Sequence, residues 1–264
     1  AIIERHLVGG TCVNTGCKPT KTLVASAYAA HTARRGADYG FTRGDVTIDM
    51  PAVAARARKV ILDARKGNED WLAGMDGVEL IRGHARFTGP ETVAVNGEVL
   101  TAPRIFINVG GRAIVPDFPG INDVPFLTNS GIVELEELPK HLVIVGGSYV
   151  GLEFAQMYRR FGAAVTIVER SDRLISREDP DISQSVREIL EAEGITVRTG
   201  ADCIGFAPHA EGVSVSVDCQ TDPSPIVGSH VLVATGRRPN TDDLGLEAAG
   251  VAVDKRGYIV VDDR

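Results

Sequence analysis

Two cysteines separated by four residues, Cys12 and Cys17, stand in the run Gly9-Gly10-Thr11-Cys12-Val13-Asn14-Thr15-Gly16-Cys17. Thiols near a helix start are chemically special, because the amide groups there stabilise a thiolate and lower its pKa. The Ala- and Leu-rich stretch from about Cys17 to Arg35 predicts such a helix, with Pro19 just inside its first turn, where a missing N–H costs nothing. Gly16 lets the backbone turn tightly between the sulfurs. A disulfide closing so small a ring is readily reduced, which suits a redox carrier better than a structural staple. Two other readings stand beside that one: a pair of buried structural cysteines, and half of a zinc site. Zinc normally takes four ligands, and the remaining cysteines, Cys203 and Cys219, fall in a different expected domain without a paired spacing.

A second constellation runs from Leu142 to Glu169. Leu-Val-Ile-Val is followed by Gly146-Gly147-Ser148-Tyr149-Val150-Gly151, then a helical stretch to Phe161 and a second apolar run ending at Glu169. A glycine-rich turn between a buried strand and a helix lets the backbone approach a pyrophosphate, whose charge the helix amino end stabilises. Gly146 and Gly151 hold the first and last glycine positions, and Ser148 replaces the middle one. Strand, helix and an acid roughly 20 residues on agree with a dinucleotide site. Glu169 is placed to accept from the adenosine ribose and to repel a 2′-phosphate, which favours NADH; Arg170 and Arg173 follow at once and could hold that phosphate, so NADPH stays open. Glu4 ends its own apolar run as Glu169 does. The simplest reading is a second dinucleotide fold whose glycine turn lay before residue 1.

These residues need elements to carry them. Ala1 to Glu4 reads as a buried parallel strand, the following Gly9-Gly10 stretch as a loop, and Pro51 to Leu72 as a second long helix capped by Asp49. Between Val78 and Val109, short apolar stretches are separated by the turn signals Gly89-Pro90 and Asn96-Gly97. After a Pro-rich connection over 116–125, strands are expected at 142–145, 164–168, 195–198, 213–217 and 231–234, and helices at 149–161 and 181–193. Alternating strands and helices imply a parallel sheet with right-handed crossovers.

The chain has 264 residues, 44% of them hydrophobic, and a formal net charge of −7. That is enough apolar material for real cores. The negative balance, with no block of Lys or Arg, argues against nucleic acid or an anionic membrane as partner. No apolar run approaches the ~18 residues needed to cross a bilayer. The amino end lacks a signal-peptide pattern, so a cytoplasmic location is expected. In that compartment four cysteines do not form a structural disulfide framework. The missing initiator Met and the stop in mid-pattern suggest a chain open at both ends.

Gly9 to Lys21 closely resembles the redox-disulfide motif of the class I pyridine nucleotide–disulfide oxidoreductases, which include glutathione reductase, dihydrolipoamide dehydrogenase and mercuric reductase. The resemblance implies that Cys12 is the thiol that attacks substrate and Cys17 the thiol against the flavin. Gly10, Thr11 and Lys21 would belong to the flavin site, with the Lys21 charge stabilising reduced flavin. Glu4 would bind the ribose of FAD. Tyr149 matches the family's aromatic gate over the nicotinamide pocket, Val150 lies in the same nucleotide turn, and Glu153 matches the helix glutamate that pairs with the flavin-side lysine. The 107–119 segment, with Gly110, resembles the passage from flavin to nicotinamide domain, although Val109 stands where the family has Thr. Residues 234–240 resemble the return segment, with Gly236 close to bound cofactor.

The implied fold is α/β: tandem FAD- and NAD(P)-binding Rossmann-like domains, three-layered, with a parallel sheet plus a β-meander and an incomplete FAD domain. The expected division is 1–118 for the partial flavin domain with the redox disulfide, 119–240 for the NAD(P) domain, and 241–264 for the start of the return. The implied activity passes electrons from NADH, or NADPH, via FAD to the Cys12–Cys17 disulfide, and then to a small-molecule disulfide or a soft metal ion. The 15–21 loop looks closest to mercuric-reductase-like and oxidant-responsive relatives. The family's Gly-Asp flavin motif and its dimerisation domain would lie beyond Arg264. The full-length parent is thus expected to be a homodimer, none of the six histidines is assigned catalysis, and no resident metal is expected. The alternative is a nicotinamide-nucleotide-binding module without turnover as cut.

Overall fold

A computed structural model describes residues 1–42, 44–217 and 225–262. In chain order it begins with strand β1 (Ile2–Glu4) and helices α1 (Gly10–Asn14), α2 (Cys17–Arg34) and α3 (Met50–Ala73). Strands β2 (Leu80–Arg82), β3 (Arg86–Gly89), β4 (Thr92–Val95), β5 (Glu98–Thr101) and β6 (Gly111–Ala113) follow. Next come α4 (Asn129–Ile132), β7 (His141–Val145), α5 (Tyr149–Phe161), β8 (Ala164–Val168) and α6 (Pro180–Ala192). The last strands are β9 (Thr196–Arg198), β10 (Gly205–His209), β11 (Gly212–Ser216), β12 (Ile226–Gly228), β13 (His230–Val233) and β14 (Arg237–Pro239).

The chain divides into two compact units, one of residues 1–17, 61–112 and 237–264, the other of 18–60 and 113–236. The second is built on a parallel sheet of order β13-β7-β8-β9. Its strands are apolar at nearly every position because both faces are buried. Alternation then sends successive side chains to two different cores. Leu142, Ile144, Val165, Ile167 and Leu232 pack with Phe154, Tyr158 and Phe161 of α5 and Leu190 of α6. Val143, Val145, Val168, Val231 and Val233 pack instead with Phe206, Val213 and Val215 of the antiparallel meander β10-β11-β12. The sheet is therefore the middle of three layers.

The apolar side chains of residues 18–60 group with this second unit. Leu23, Ala27, Met50 and Ala57 share the core that contains Leu142 and Phe154. The reason lies on the helices: α2 buries Leu23 and Ala27 to 2% and 1% exposure, worth roughly 1.5–3 kcal/mol for the leucine alone. Asp49 caps α3 as expected, its Oδ1 accepting from Ala52 N at 3.0 Å.

In the first unit β1 pairs in parallel with β2. It is shorter and more exposed than a buried strand, with Ile2 at 40%, and among the described residues only this one ladder holds it. β3, β4 and β5 form an antiparallel meander. Val95 pairs with Glu98 across Asn96 and Gly97, both at positive φ, the geometry that a two-residue hairpin requires. The last apolar stretch of this region, 105–109, was expected to be strand-like and forms no ladder among the described residues. The Gly9-Gly10 loop is in part helical, since α1 carries Cys12.

Among the described residues no helix is long and apolar enough to cross a membrane.

Candidate functional site

β7 ends in the glycine turn. Gly146 has φ +119, and a Cβ there would stand 2.4 Å from Ala234 O; a Cβ on Gly151 would stand 2.1 Å from Gly146 O. Both distances are impossible for a side chain, so these two positions let β13, β7 and α5 meet backbone to backbone. Ser148 is the residue before α5 and makes no side-chain cap. Ser148, Tyr149 and Val150 are exposed at the helix amino end, while Gly146 and Gly147 are buried.

Glu169 follows β8 and turns back onto this loop. Its Oε2 accepts from Gly147 N at 2.5 Å and its Oε1 from Ser171 N at 2.7 Å. The carboxylate is thereby held beside the glycine turn, and an adenosine ribose would share its remaining lone pairs. Arg170 is exposed. Arg173 is turned to its own loop, donating to Ser176 O at 3.0 Å.

The loop after β8 also supplies a partner that sequence reasoning missed. The Tyr149 hydroxyl donates to Glu178 Oε1, and this bond to a carboxylate, helped by desolvation, holds the phenol above its ordinary value. The ring is exposed. No spacing rule links a residue at the start of α5 to one 29 positions on, and Glu178 reads as one acid among several.

One helical turn into α2, Lys21 Nζ pairs with Glu153 Oε1 of α5. The lysine side chain is 68% exposed and the glutamate 32%, so the pair contributes at most about 1 kcal/mol to stability. Its value lies in joining the helix that opens at Cys17 to the helix that opens at the glycine turn.

In the first unit, Cys12 sits on α1 and Cys17 is the first residue of α2. Both side chains are exposed. A five-residue helix does not hold itself, because nucleation is unfavourable and few bonds follow. Asn14 supplies what is missing. It is buried to 6%, and its Nδ2 donates to Val8 O at 3.1 Å and Gly10 O at 2.9 Å. Its Oδ1 accepts from Arg65 Nε of α3 at 2.8 Å. Thr11 Oγ1 accepts from Arg237 at 3.3 Å, and Arg237 also donates to Gly111 O. These anchors were not foreseen. An Asn between the two cysteines, five residues before Pro19, was the one available signal.

Glu4 folds back on its own chain, its Oε1 accepting from His6 N at 2.8 Å. Gly110 O accepts from Asn240 N at 3.0 Å, which joins the 107–119 and 234–240 segments, and Gly236 O accepts from Ile114 N at 2.9 Å. Cys203 is disulfide-bonded. Cys219 lies outside the described residues. Among the described residues no group of three or more His, Cys, Asp and Glu is arranged to hold a metal ion.

A family model described as pyridine nucleotide-disulphide oxidoreductase matches residues 1–264. The chain is 36% identical to a mercuric reductase of Bacillus cereus over 265 residues, covering 100% of this chain and 42% of the relative. It is 38% identical to a dihydrolipoyl dehydrogenase of Thermus scotoductus, covering 99% and 57%. A solved structure of the HOCl-induced flavoprotein disulfide reductase RclA from Escherichia coli superposes with a TM-score of 0.86 at 35% identity, covering 98% of this chain and 56% of that one. The chain thus spans about half the length of the relatives it matches.

Proposed function

Because the chain belongs to the pyridine nucleotide–disulphide oxidoreductase family, we propose that it carries the nucleotide site and the redox thiols of an enzyme passing electrons from NAD(P)H through FAD to Cys12 and Cys17, and on to a small disulfide or soft metal ion. The observation that carries this reading is the Lys21–Glu153 pair. It ties the helix opening at Cys17 to the helix opening at the dinucleotide turn, which a pair of merely structural cysteines does not need.

The glycine turn suits a nicotinamide nucleotide. Gly146 and Gly151 leave no room for a Cβ, and Glu169 stands at the turn. These, with Ser148, Val150 and the amides of α5, would hold the pyrophosphate and ribose of a nicotinamide nucleotide, with Tyr149 as a gate over its nicotinamide end. Glu4, Gly10, Thr11, Lys21, Gly110 and Gly236 would line the flavin. Glu169 favours NADH, and the exposed Arg170 leaves NADPH possible. Bound flavin supplies the two-electron relay between nicotinamide and thiols. Lys21 provides positive charge on the flavin side, with Glu153 fixing its direction. The Cys12 thiolate attacks a disulfide sulfur or takes a soft metal ion, and Cys17 then closes on Cys12 as two electrons leave for the acceptor.

The acceptor we favour is mercuric-reductase-like, in keeping with the relatives of that name and with a Cu(II) complex of RclA among the similar structures. The whole protein would act in the cytoplasm as a homodimer, with neither nucleic acid nor membrane as partner.

The test is anaerobic spectroscopy of the purified chain supplied with FAD. A yellow protein bleached by NADH supports the enzyme; a colourless one that binds NADH points to a nucleotide-binding module without turnover. Cys12→Ser should abolish transfer to disulfide or metal acceptors while sparing flavin reduction, and full acceptor turnover in that variant would remove the assigned roles. Glu169→Ala should lose its preference for NADH over NADPH.

A further inference from the structure

Resting on the nucleotide site proposed above, we propose that Glu178 is a positioning residue that latches Tyr149 across the mouth of that site, so that a dinucleotide enters only as the Tyr149–Glu178 hydrogen bond opens.

Tyr149 is the first residue of α5 and directly follows the glycine turn. Its side chain is 55% exposed, so burial does little to fix it. The bond to Glu178 is what sets its position. Large aromatic side chains left at a surface normally lie down on apolar neighbours. This one instead reaches over to the loop that follows β8.

The other half of the latch is held from behind. Glu178 N donates to Ile175 O at 2.8 Å, closing a turn whose first residue has φ +38. For a β-branched residue that left-handed conformation is a true outlier, of the kind retained where surrounding structure over-determines it. Here three bonds and a buried side chain do so. Ile175 N donates to Gly147 O at 2.9 Å, Leu174 O accepts from Ser183 Oγ of α6 at 2.6 Å, and Ile175 itself is 7% exposed in the core. The strained turn thus delivers the Glu178 carboxylate at a fixed place, as α5 delivers the phenol.

The two rims that the bond joins are the turns after β7 and β8, adjacent parallel strands. In such a sheet a dinucleotide lies in the crevice outside the carboxyl ends of the strands. A bond from one rim to the other therefore closes the space that the ligand must occupy. The competing reading is a surface hydrogen bond that only steadies the start of α5. That role would move the melting temperature and leave nucleotide affinity alone.

The experiment is a thermodynamic cycle on the full 264-residue chain, using NADH, NADPH and AMP as probes. Tyr149→Phe keeps the ring and removes the hydroxyl; Glu178→Gln keeps the shape and removes the charge. Both sites are on the surface, and circular dichroism checks that each variant stays folded. Binding is read by calorimetry and the association rate by stopped-flow fluorescence. Each single variant should bind NADH about five-fold tighter and associate about five-fold faster, the shift that one hydrogen bond can impose on an open–closed equilibrium. The double variant should equal either single one, because both remove the same bond. Unchanged or weakened NADH binding in the single variants, or gains that multiply in the double, would overturn the latch while normal NADH and AMP binding left the site itself standing. Failure of the wild-type chain to bind any of the three probes would remove the nucleotide site and the latch with it.

Discussion

Replacing Asn14 with Ala should cost the first unit about 3–5 kcal/mol. The side chain is buried and makes four hydrogen bonds: two to the carbonyls of Val8 and Gly10, one from the Arg65 guanidinium, and a long one of 3.5 Å to Leu7 O. Two neutral bonds are worth roughly 0.5–1.5 kcal/mol each, and one to a charged donor roughly 1.5–3. These partners would be left without their bond, since Ala supplies no polar atom, and the expected loss falls in the middle of the summed range of roughly 2.5–6 kcal/mol. Arg65→Met isolates the third bond and should cost about 1–3 kcal/mol. The measurements are urea unfolding followed by circular dichroism, and the rate at which a thiol reagent labels Cys12 and Cys17. With Asn14 gone, the short helix α1 loses its support, so the two thiols should be held less often at bonding distance. Air oxidation to the Cys12–Cys17 disulfide should then slow relative to alkylation of the same cysteines. An Asn14→Ala loss below about 1 kcal/mol, with labelling and oxidation rates unchanged, would refute the idea that this side chain organises the loop.

Gly151→Ala should destabilise the second unit by about 1–3 kcal/mol and abolish nucleotide binding, because its new Cβ would meet Gly146 O at 2.1 Å; thermal melting and NADH calorimetry on the same sample check both halves, and a variant that melts normally while binding NADH would contradict it. Burial works against ionised Glu193, but two hydrogen bonds from Arg160, the Arg160 charge and a hydrogen bond from Gln156 outweigh it, so this carboxyl is held below its ordinary value of 4.5. The stability it contributes is therefore present above pH 4.5 and lost as pH falls through the lower folded value. Urea unfolding in this acid range should show a smaller pH dependence for Glu193→Gln than for wild type.

Much of the second unit was legible because its signals are local and redundant. α5 runs from Tyr149 to Phe161 and β8 from Ala164 to Val168 as expected, since Gly146 and Gly162 bracket the helix and the strands on either side are mostly apolar, with His141 and Thr166 the exceptions. A buried parallel strand announces itself in composition alone. The thiol loop was legible only as chemistry. Its spacing and its Lys21 pointed to redox work, yet α1 was hidden because a five-residue helix depends on Asn14 and Arg65, residues 51 positions apart. Glu178 and the left-handed Ile175 were hidden for the same reason: a turn fixed by tertiary bonds overrides what a β-branched residue prefers. For residues 18–60 the apolar positions say that the segment packs, and not against what.

β7 carries two messages in one string of four letters. Leu142 and Ile144 answer to the helices, Val143 and Val145 to the meander, and the glycine turn begins one residue later. Adding or removing a single residue there would exchange the readers of both messages and point Gly146 away from Ala234. Swapping one apolar residue for another would disturb only one of them. Along this strand the count of residues constrains the fold more than their identity does.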